Sequence, residues 1–220
     1  MHRIHYRFGL VLALLVVTIA FSLAAPEGDG ARFVVVTLQA AVLVAAVIAS
    51  KRSRLEIGLS ALVALVGVTG TAAAIAGTDE FGDGSGAIVA LFYVLLTPPV
   101  IVSGLIKQFR EAGAVTLQTM FGVLCLYLLI GLMFAVAYGA IDEVSDTSFF
   151  TNGSTQRDDF LYFSFTTLST VGYGDLTAAT NLGRSLAITE ALVGQLYLVT
   201  VVAVIVSNLG PAQRATERAD

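Results

Sequence analysis

The sequence predicts an all-α membrane protein: six transmembrane helices, with a short re-entrant helix and an extended loop between helices five and six. Three observations carry this expectation. The chain of 220 residues is 56% hydrophobic and 13% charged, with a mean hydropathy of +0.85, a balance foreign to soluble domains. Its apolar residues gather into six runs: Phe8–Ala25, Phe33–Ala49, Ile57–Ala76, Ala87–Ile106, Val115–Ala140 and Leu182–Leu209. Between the last two lies the string T-T-L-S-T-V-G-Y-G-D, Thr166 to Asp175.

Each run reads as a helix because backbone polar groups in lipid have to be satisfied internally. One helical crossing takes about 20 residues. Runs three to six reach that length, and the first two reach it with their flanks. The first run has a second reading as a signal peptide, since Arg3 and Arg7 precede it and Ser22-Leu23-Ala24 resembles a cleavage site. Its apolar stretch exceeds a signal-peptide core, which favours a retained helix. The single cysteine, Cys125, lies inside the fifth run, so no disulfide framework exists and the residue serves as a small hydrophobe.

The net charge of -4 says little, because the charges are sorted by side. Arg3 and Arg7 precede run one; Lys51, Arg52 and Arg54 follow run two; Lys107 and Arg110 follow run four; Arg214 and Arg218 follow run six. That side is expected to be cytoplasmic, with both termini. The opposite loops hold Glu27, Asp29, Asp79, Glu80, Asp83, Asp142, Glu143, Asp146, Asp158, Asp159 and Asp175. An acidic outer face concentrates cations, although solvated loop surface accounts for most of these residues.

The segment between runs five and six divides into a polar loop, Ala140–Arg157, and a short helix from Asp159 to about Ser169, opened by the capping pair Asp158-Asp159. Asn152-Gly153-Ser154 at the loop tip fits a glycosylation pattern that short sequences match by chance. The carboxyl end of the short helix carries partial negative charge and favours a nearby cation. After it comes Thr170-Val171-Gly172-Tyr173-Gly174. Backbone carbonyls of successive residues face one way only if alternate residues take left-handed dihedrals, which glycine does at little cost. A surface turn is the plain alternative for a Gly-Tyr-Gly triplet. The ten-residue string, set between long apolar runs, argues against it.

This string resembles the selectivity filter of tetrameric potassium channels. Residues 115–209 resemble their pore module of outer helix, pore helix, filter and inner helix. The whole chain resembles the six-helix prokaryotic potassium channels of that pore-loop superfamily, closely over the pore and loosely before it. Asp175 to Arg184, D-L-T-A-A-T-N-L-G-R, keeps the family spacing to the Gly-Arg pair. The resemblance implies that Thr170, Val171, Gly172, Tyr173 and Gly174 form the potassium-binding filter. It places Tyr162 and Phe163 in an aromatic cuff, and Thr166, Thr167 and Asp175 among the filter supports. It puts a gating hinge at Gly194, 21 residues after Tyr173, with close helix packing as the equal alternative, and a cavity position at Gln195, whose alternative is a hydrogen bond between subunits. It implies a homotetramer in the cell membrane, since one loop supplies a quarter of an ion cage. The expected division is residues 1–110, a four-helix unit, and 111–220, the pore domain.

Departures from the family are informative. Thr166 stands where a two-helix bacterial relative has glutamate, so a carboxyl pair with Asp175 is impossible here. No Lys or Arg occurs between Arg54 and Lys107, so an arginine voltage sensor is not expected. Pro98-Pro99 is expected to kink the fourth helix or break its hydrogen bonding. Gly113 lies in the short connection to the fifth helix. The front helices read as a scaffold or as a sensor of another kind. No proline bend appears in the lower inner helix before Pro211, and no ligand-binding domain is expected after Leu209.

Glu190 lies one turn before Gly194, at membrane depth, where ionisable residues are functional candidates. It is expected to support the filter from behind through the hydroxyls of Thr166 or Thr167; the alternative is a group in the cavity. His2 and His5 read as a frayed terminus, with cytoplasmic pH sensing as the alternative. The sequence carries no phosphate-binding glycine loop, metal-ligand cluster, nucleophile-histidine pair or basic patch, so neither an enzyme nor nucleic-acid binding is expected. No cofactor is expected beyond K+ as the permeant ion. The expected partners are K+, the lipid bilayer and further copies of the chain. A non-conducting membrane sensor or assembly partner with a vestigial pore, and a less selective cation channel, are the alternative functions.

Overall fold

The computed structural model describes residues 7–25, 28–50, 53–76, 85–112 and 116–209. Several residues used above lie outside that set: His2, His5, Arg3, Glu27, Lys51, Arg52, Asp79, Glu80, Asp83, Gly113, Pro211, Arg214 and Arg218. The described residues form seven α-helices: α1 Arg7–Ala24, α2 Asp29–Ala49, α3 Arg54–Ile75, α4 Ser85–Ala112, α5 Leu117–Val144, α6 Arg157–Leu168 and α7 Asn181–Leu209. The one β-type pairing among them is an isolated antiparallel bridge between Phe150 and Ala178. Four helices, within α2, α3, α4 and α5, are long and apolar enough to cross a membrane, and α1 is a shorter apolar helix. The chain is therefore a multi-pass membrane protein. With 12 residues, α6 is about 18 Å long and cannot cross a hydrocarbon core of about 30 Å.

Local chemistry sets the helix starts. Ser53 and Glu56 form a reciprocal cap at α3: the Ser53 amide donates to Glu56 Oε2 at 2.8 Å and the Glu56 amide to Ser53 Oγ at 3.3 Å. Thr116 and Thr119 do the same at α5. Gln108 Nε2 donates to Thr116 Oγ1 at 2.9 Å, tying the end of α4 to the start of α5. The pore-unit helix α6 begins two residues before the expected Asp159, at Arg157. Gln156 occupies the cap without a side-chain bond, and Asp158 and Asp159 fall in the first turn, where they complement the helix dipole. Asp159 Oδ2 accepts from the Ser154 hydroxyl.

The Pro98-Pro99 pair does not end α4, which runs through both prolines. Proline has no N–H, so the carbonyls four residues back, on Val94 and Leu95, lose their helical donors. A membrane helix tolerates this when neighbours meet the backbone's needs. On the next residue, the Val100 carbonyl accepts from Ser50 Oγ at 3.0 Å and Ser103 Oγ at 2.7 Å.

One buried cluster runs through both halves of the chain. It joins Phe8, Val11 and Leu15 of α1 with Val42 and Ala46 of α2, Val94 and Ile101 of α4, Cys125, Leu129 and Leu132 of α5, and Leu161 of α6. The first helix is thus built into the core. A second cluster packs α2 on α3 and α4 around Tyr93, whose hydroxyl donates to the Ala64 carbonyl at 3.0 Å. A third, aromatic cluster gathers Tyr138, Phe149, Phe150, Phe160 and Phe163 beside α6.

Candidate pore loop and its supports

The loop after α6 is shaped by its own backbone. Thr170 has φ +60°, Gly172 +50° and Gly174 +79°. Left-handed dihedrals therefore recur at every second residue, with Val171 and Tyr173 between them. For threonine, a β-branched residue, this region is a genuine outlier. The helix end holds the entry to the loop: the Thr167 carbonyl accepts from the Thr170 amide at 2.9 Å, and the Thr166 carbonyl accepts from Val171 at 2.9 Å and Gly172 at 3.1 Å. Val171 and Tyr173 are 52% and 72% exposed in the single chain.

The outer end of the loop is pinned by an aromatic residue and a carboxylate. Tyr162 Oη donates to Asp175 Oδ2 at 2.8 Å, and its ring stacks on Tyr173 with centroids 6.4 Å apart. The hydrogen bond holds the Asp175 carboxyl below its ordinary value and pushes the Tyr162 phenol up to about 12. Further back, the Thr151 amide donates to the Thr177 carbonyl at 3.0 Å and the Ala179 amide to the Phe149 carbonyl at 2.8 Å, clasping the segments before α6 and after the loop. Arg184 Nε donates to the Ala178 carbonyl at 3.0 Å, which gives the Gly-Arg pair a structural task.

Two expected supports stand elsewhere than expected. Phe163 is not at the loop. It is 8% exposed and sits in the aromatic cluster, 5.3 Å from the Tyr138 ring. One residue along a helix turns the side chain by about 100°, so Tyr162 and Phe163 cannot both face the loop. Thr166 and Thr167 do not partner Glu190. Thr166 Oγ1 donates to its own helix at the Phe163 carbonyl, 3.0 Å away, and both threonines serve the loop through their carbonyls. Glu190 is fully buried. Its partners are Tyr138, whose hydroxyl donates to Oε2 at 2.6 Å, and Ser164, whose hydroxyl meets Oε1.

Gly194 is a contact point between α7 and the end of α6. A Cβ there would lie 2.5 Å from the Leu168 carbonyl oxygen and 2.8 Å from Leu168 Cδ1. This supplies a reason for glycine through packing alone. Gln195 is exposed on α7, as are Ile188, Leu192, Leu196 and Val199. Sequence reasoning missed two tyrosine ties. Tyr127 Oη donates to the Leu168 carbonyl at 3.3 Å, and Tyr197 Oη to the Val123 carbonyl at 2.6 Å, with the two rings 5.8 Å apart. The available signal was a polar hydroxyl inside an apolar run, which needs a partner at that depth.

No curated protein and no solved structure matches the chain. A family model described as "Ion channel" matches residues 123–210, from α5 through the loop to the end of α7. The match supports an ion channel of the pore-loop type.

Proposed function

We propose that this protein is a potassium-selective channel that conducts K+ passively through a pore formed by four copies of the chain. The observation that carries the reading is the left-handed φ at Thr170, Gly172 and Gly174. Alternating handedness turns successive carbonyls to one side of a strand, which a dehydrated K+ needs as its oxygen cage. Thr170, Val171, Gly172 and Tyr173 supply those carbonyls, and the Thr170 hydroxyl extends the row. Tyr162, Thr166, Thr167 and Asp175 hold the loop in place.

The tetramer is supported by what one chain leaves uncovered. Val171, Tyr173 and the apolar residues Ile188, Leu192, Leu196 and Val199 of α7 are exposed together. In a ring of four, this face packs against neighbours and lines the cavity, with Gln195 among the lining residues. On this reading α6 is re-entrant, α1–α5 and α7 make six crossings, and both ends lie in the cytoplasm of a cell membrane. Residues 1–110 form a four-helix unit and 111–220 the pore domain. The front unit does not work as an arginine sensor: α3 and α4 carry their basic residues, Arg54, Lys107 and Arg110, only near their ends.

Purified protein in K+-loaded liposomes tests the reading. K+ and Rb+ should permeate and Na+ should be strongly excluded. Equal Na+ and K+ fluxes would leave a less selective cation pore, and no flux from well-formed tetramers would leave a vestigial one.

A further inference from the structure

Glu190 joins three helices at one point. Tyr138 comes from α5, Ser164 from α6, and Glu190 from α7. Tyr138 Oη lies 2.6 Å from Glu190 Oε2. Ser164 Oγ meets Glu190 Oε1 on one side and lies 2.7 Å from the Gly131 carbonyl oxygen of α5 on the other. All of these side chains and Gly131 are buried.

The hydrogens in this chain can be counted. A serine hydroxyl carries one hydrogen, a carbonyl oxygen carries none, and a carboxylate carries none. Ser164 Oγ stands within bonding distance of two acceptors if Glu190 is ionised. One of the two contacts would then set oxygen against oxygen with no hydrogen between them. Every contact closes only if Glu190 brings a hydrogen of its own. The chain then runs in one sense: Tyr138 donates to Glu190 Oε2, Glu190 Oε1–H donates to Ser164 Oγ, and Ser164 donates to the Gly131 carbonyl. Neither side-chain partner of Glu190 carries positive charge, so nothing in this node compensates a buried anion.

We infer that Glu190 is a carboxylic acid at neutral pH, and that in this form it is a positioning residue linking the outer, pore and inner helices behind the filter. Ser164 sits two residues before Thr166, whose carbonyl anchors the Val171 and Gly172 amides. Fixing Ser164 against Gly131 therefore fixes the helix turn from which the loop departs. The proton on Glu190 stands on geometry alone; its effect on conduction rests on the potassium-channel reading above.

Infrared spectroscopy of the full chain in lipid bilayers tests the proton without reference to ion flux. The wild-type minus Glu190→Gln difference spectrum at neutral pH should contain the carbonyl stretch of a protonated carboxylic acid. If the lost signal is the carboxylate stretch, Glu190 is ionised and the inference fails. Tyr138→Phe removes the donor to Oε2 and should shift the acid band to higher frequency; an unmoved band would break the assigned sense of the chain. The positioning role is read by flux and by tetramer integrity together. Gln offers the same donor and acceptor, so Glu190→Gln should keep K+ flux within about twofold of wild type. Glu190→Ala leaves Tyr138 and Ser164 unpaired and should lower flux about tenfold through faster closure of the filter. If Glu190→Gln forms intact tetramers yet loses flux as Glu190→Ala does, Glu190 acts through charge and not through position.

Discussion

A methyl group on Gly172 would meet nothing within 4 Å in the chain, yet its φ is +50°. The cost of Gly172→Ala is therefore conformational, about 1–2 kcal/mol for an L-residue held in that region. The substituted loop can relieve it by turning a carbonyl out of the row. Gly172→Ala should keep a folded tetramer, checked by size-exclusion chromatography, and lose selective K+ flux; unchanged selectivity would show that this loop is not the filter. Asp175 gives a second test at this scale. Its carboxyl is held below the ordinary 3.8 by the Tyr162 hydroxyl. A group whose folded value is lowered stabilises the fold fully above the ordinary value, and that contribution is lost as pH falls through the lowered value. External acid in that range should speed loss of conduction in wild type, and Tyr162→Phe should show the fast loss already at neutral pH. The left-handed turns at Gly172 and Gly174 were legible because glycine's conformational freedom is local chemistry. The partners of Glu190 were not, because Ser164 and Tyr138 lie 26 and 52 residues away. Only the rotational setting of three helices decides that Ser164, and not Thr166 or Thr167, faces it.

Helix contacts separate two glycines that look alike in sequence. At Gly194 an added Cβ would press on the Leu168 carbonyl oxygen at 2.5 Å, a backbone atom at the very end of α6. At Gly131 it would meet the tip of the Phe165 ring at 2.9 Å and Leu168 Cδ2 at 3.2 Å, side-chain atoms that can turn. Overpacking costs about 1–3 kcal/mol, and the upper end belongs to Gly194. Gly194→Ala should lower tetramer thermal stability and flux more than Gly131→Ala; the reverse order would place the constraint on α5 and not at the α6–α7 contact. At this scale the sequence located every helix among the described residues, because apolar runs are local signals. The expected break in hydrogen bonding at Pro98-Pro99 leaves α4 continuous, since lateral packing, not local propensity, decides whether a membrane helix survives proline. The sequence put Tyr162 and Phe163 together in one cuff, whereas within the chain one ring stacks on Tyr173 and the other meets Tyr138 edge-on, because aromatic composition does not say which face of α6 a ring takes.

Across the whole molecule, the order of segments was readable from hydropathy, while the way α1 and α2 join α4, α5 and α6 in one buried cluster was not. Lipid is as apolar as leucine, so hydropathy carries no information on which helix meets which. That cluster bears on gating. A voltage sensor has to move charge through the field and then move the pore. Of the four front helices, α1 and α4 pack against α5, but the unit holds little charge to drive a displacement. Between Arg54 and Lys107 there is no Lys or Arg, and Lys107 and Arg110 sit in the last turns of α4. One charge crossing the full field over 100 mV supplies about 2.3 kcal/mol, and steep gating needs several such charges in each of four subunits. Open probability in planar bilayers should therefore change little between about -100 and +100 mV, with the residual slope set by ion occupancy of the filter. Neutralising Lys107 and Arg110 together should leave that slope unchanged. A steep sigmoidal curve that flattens in the double variant would show that the end of α4 moves through the field, and the front unit would then be a sensor built on charges at the membrane edge.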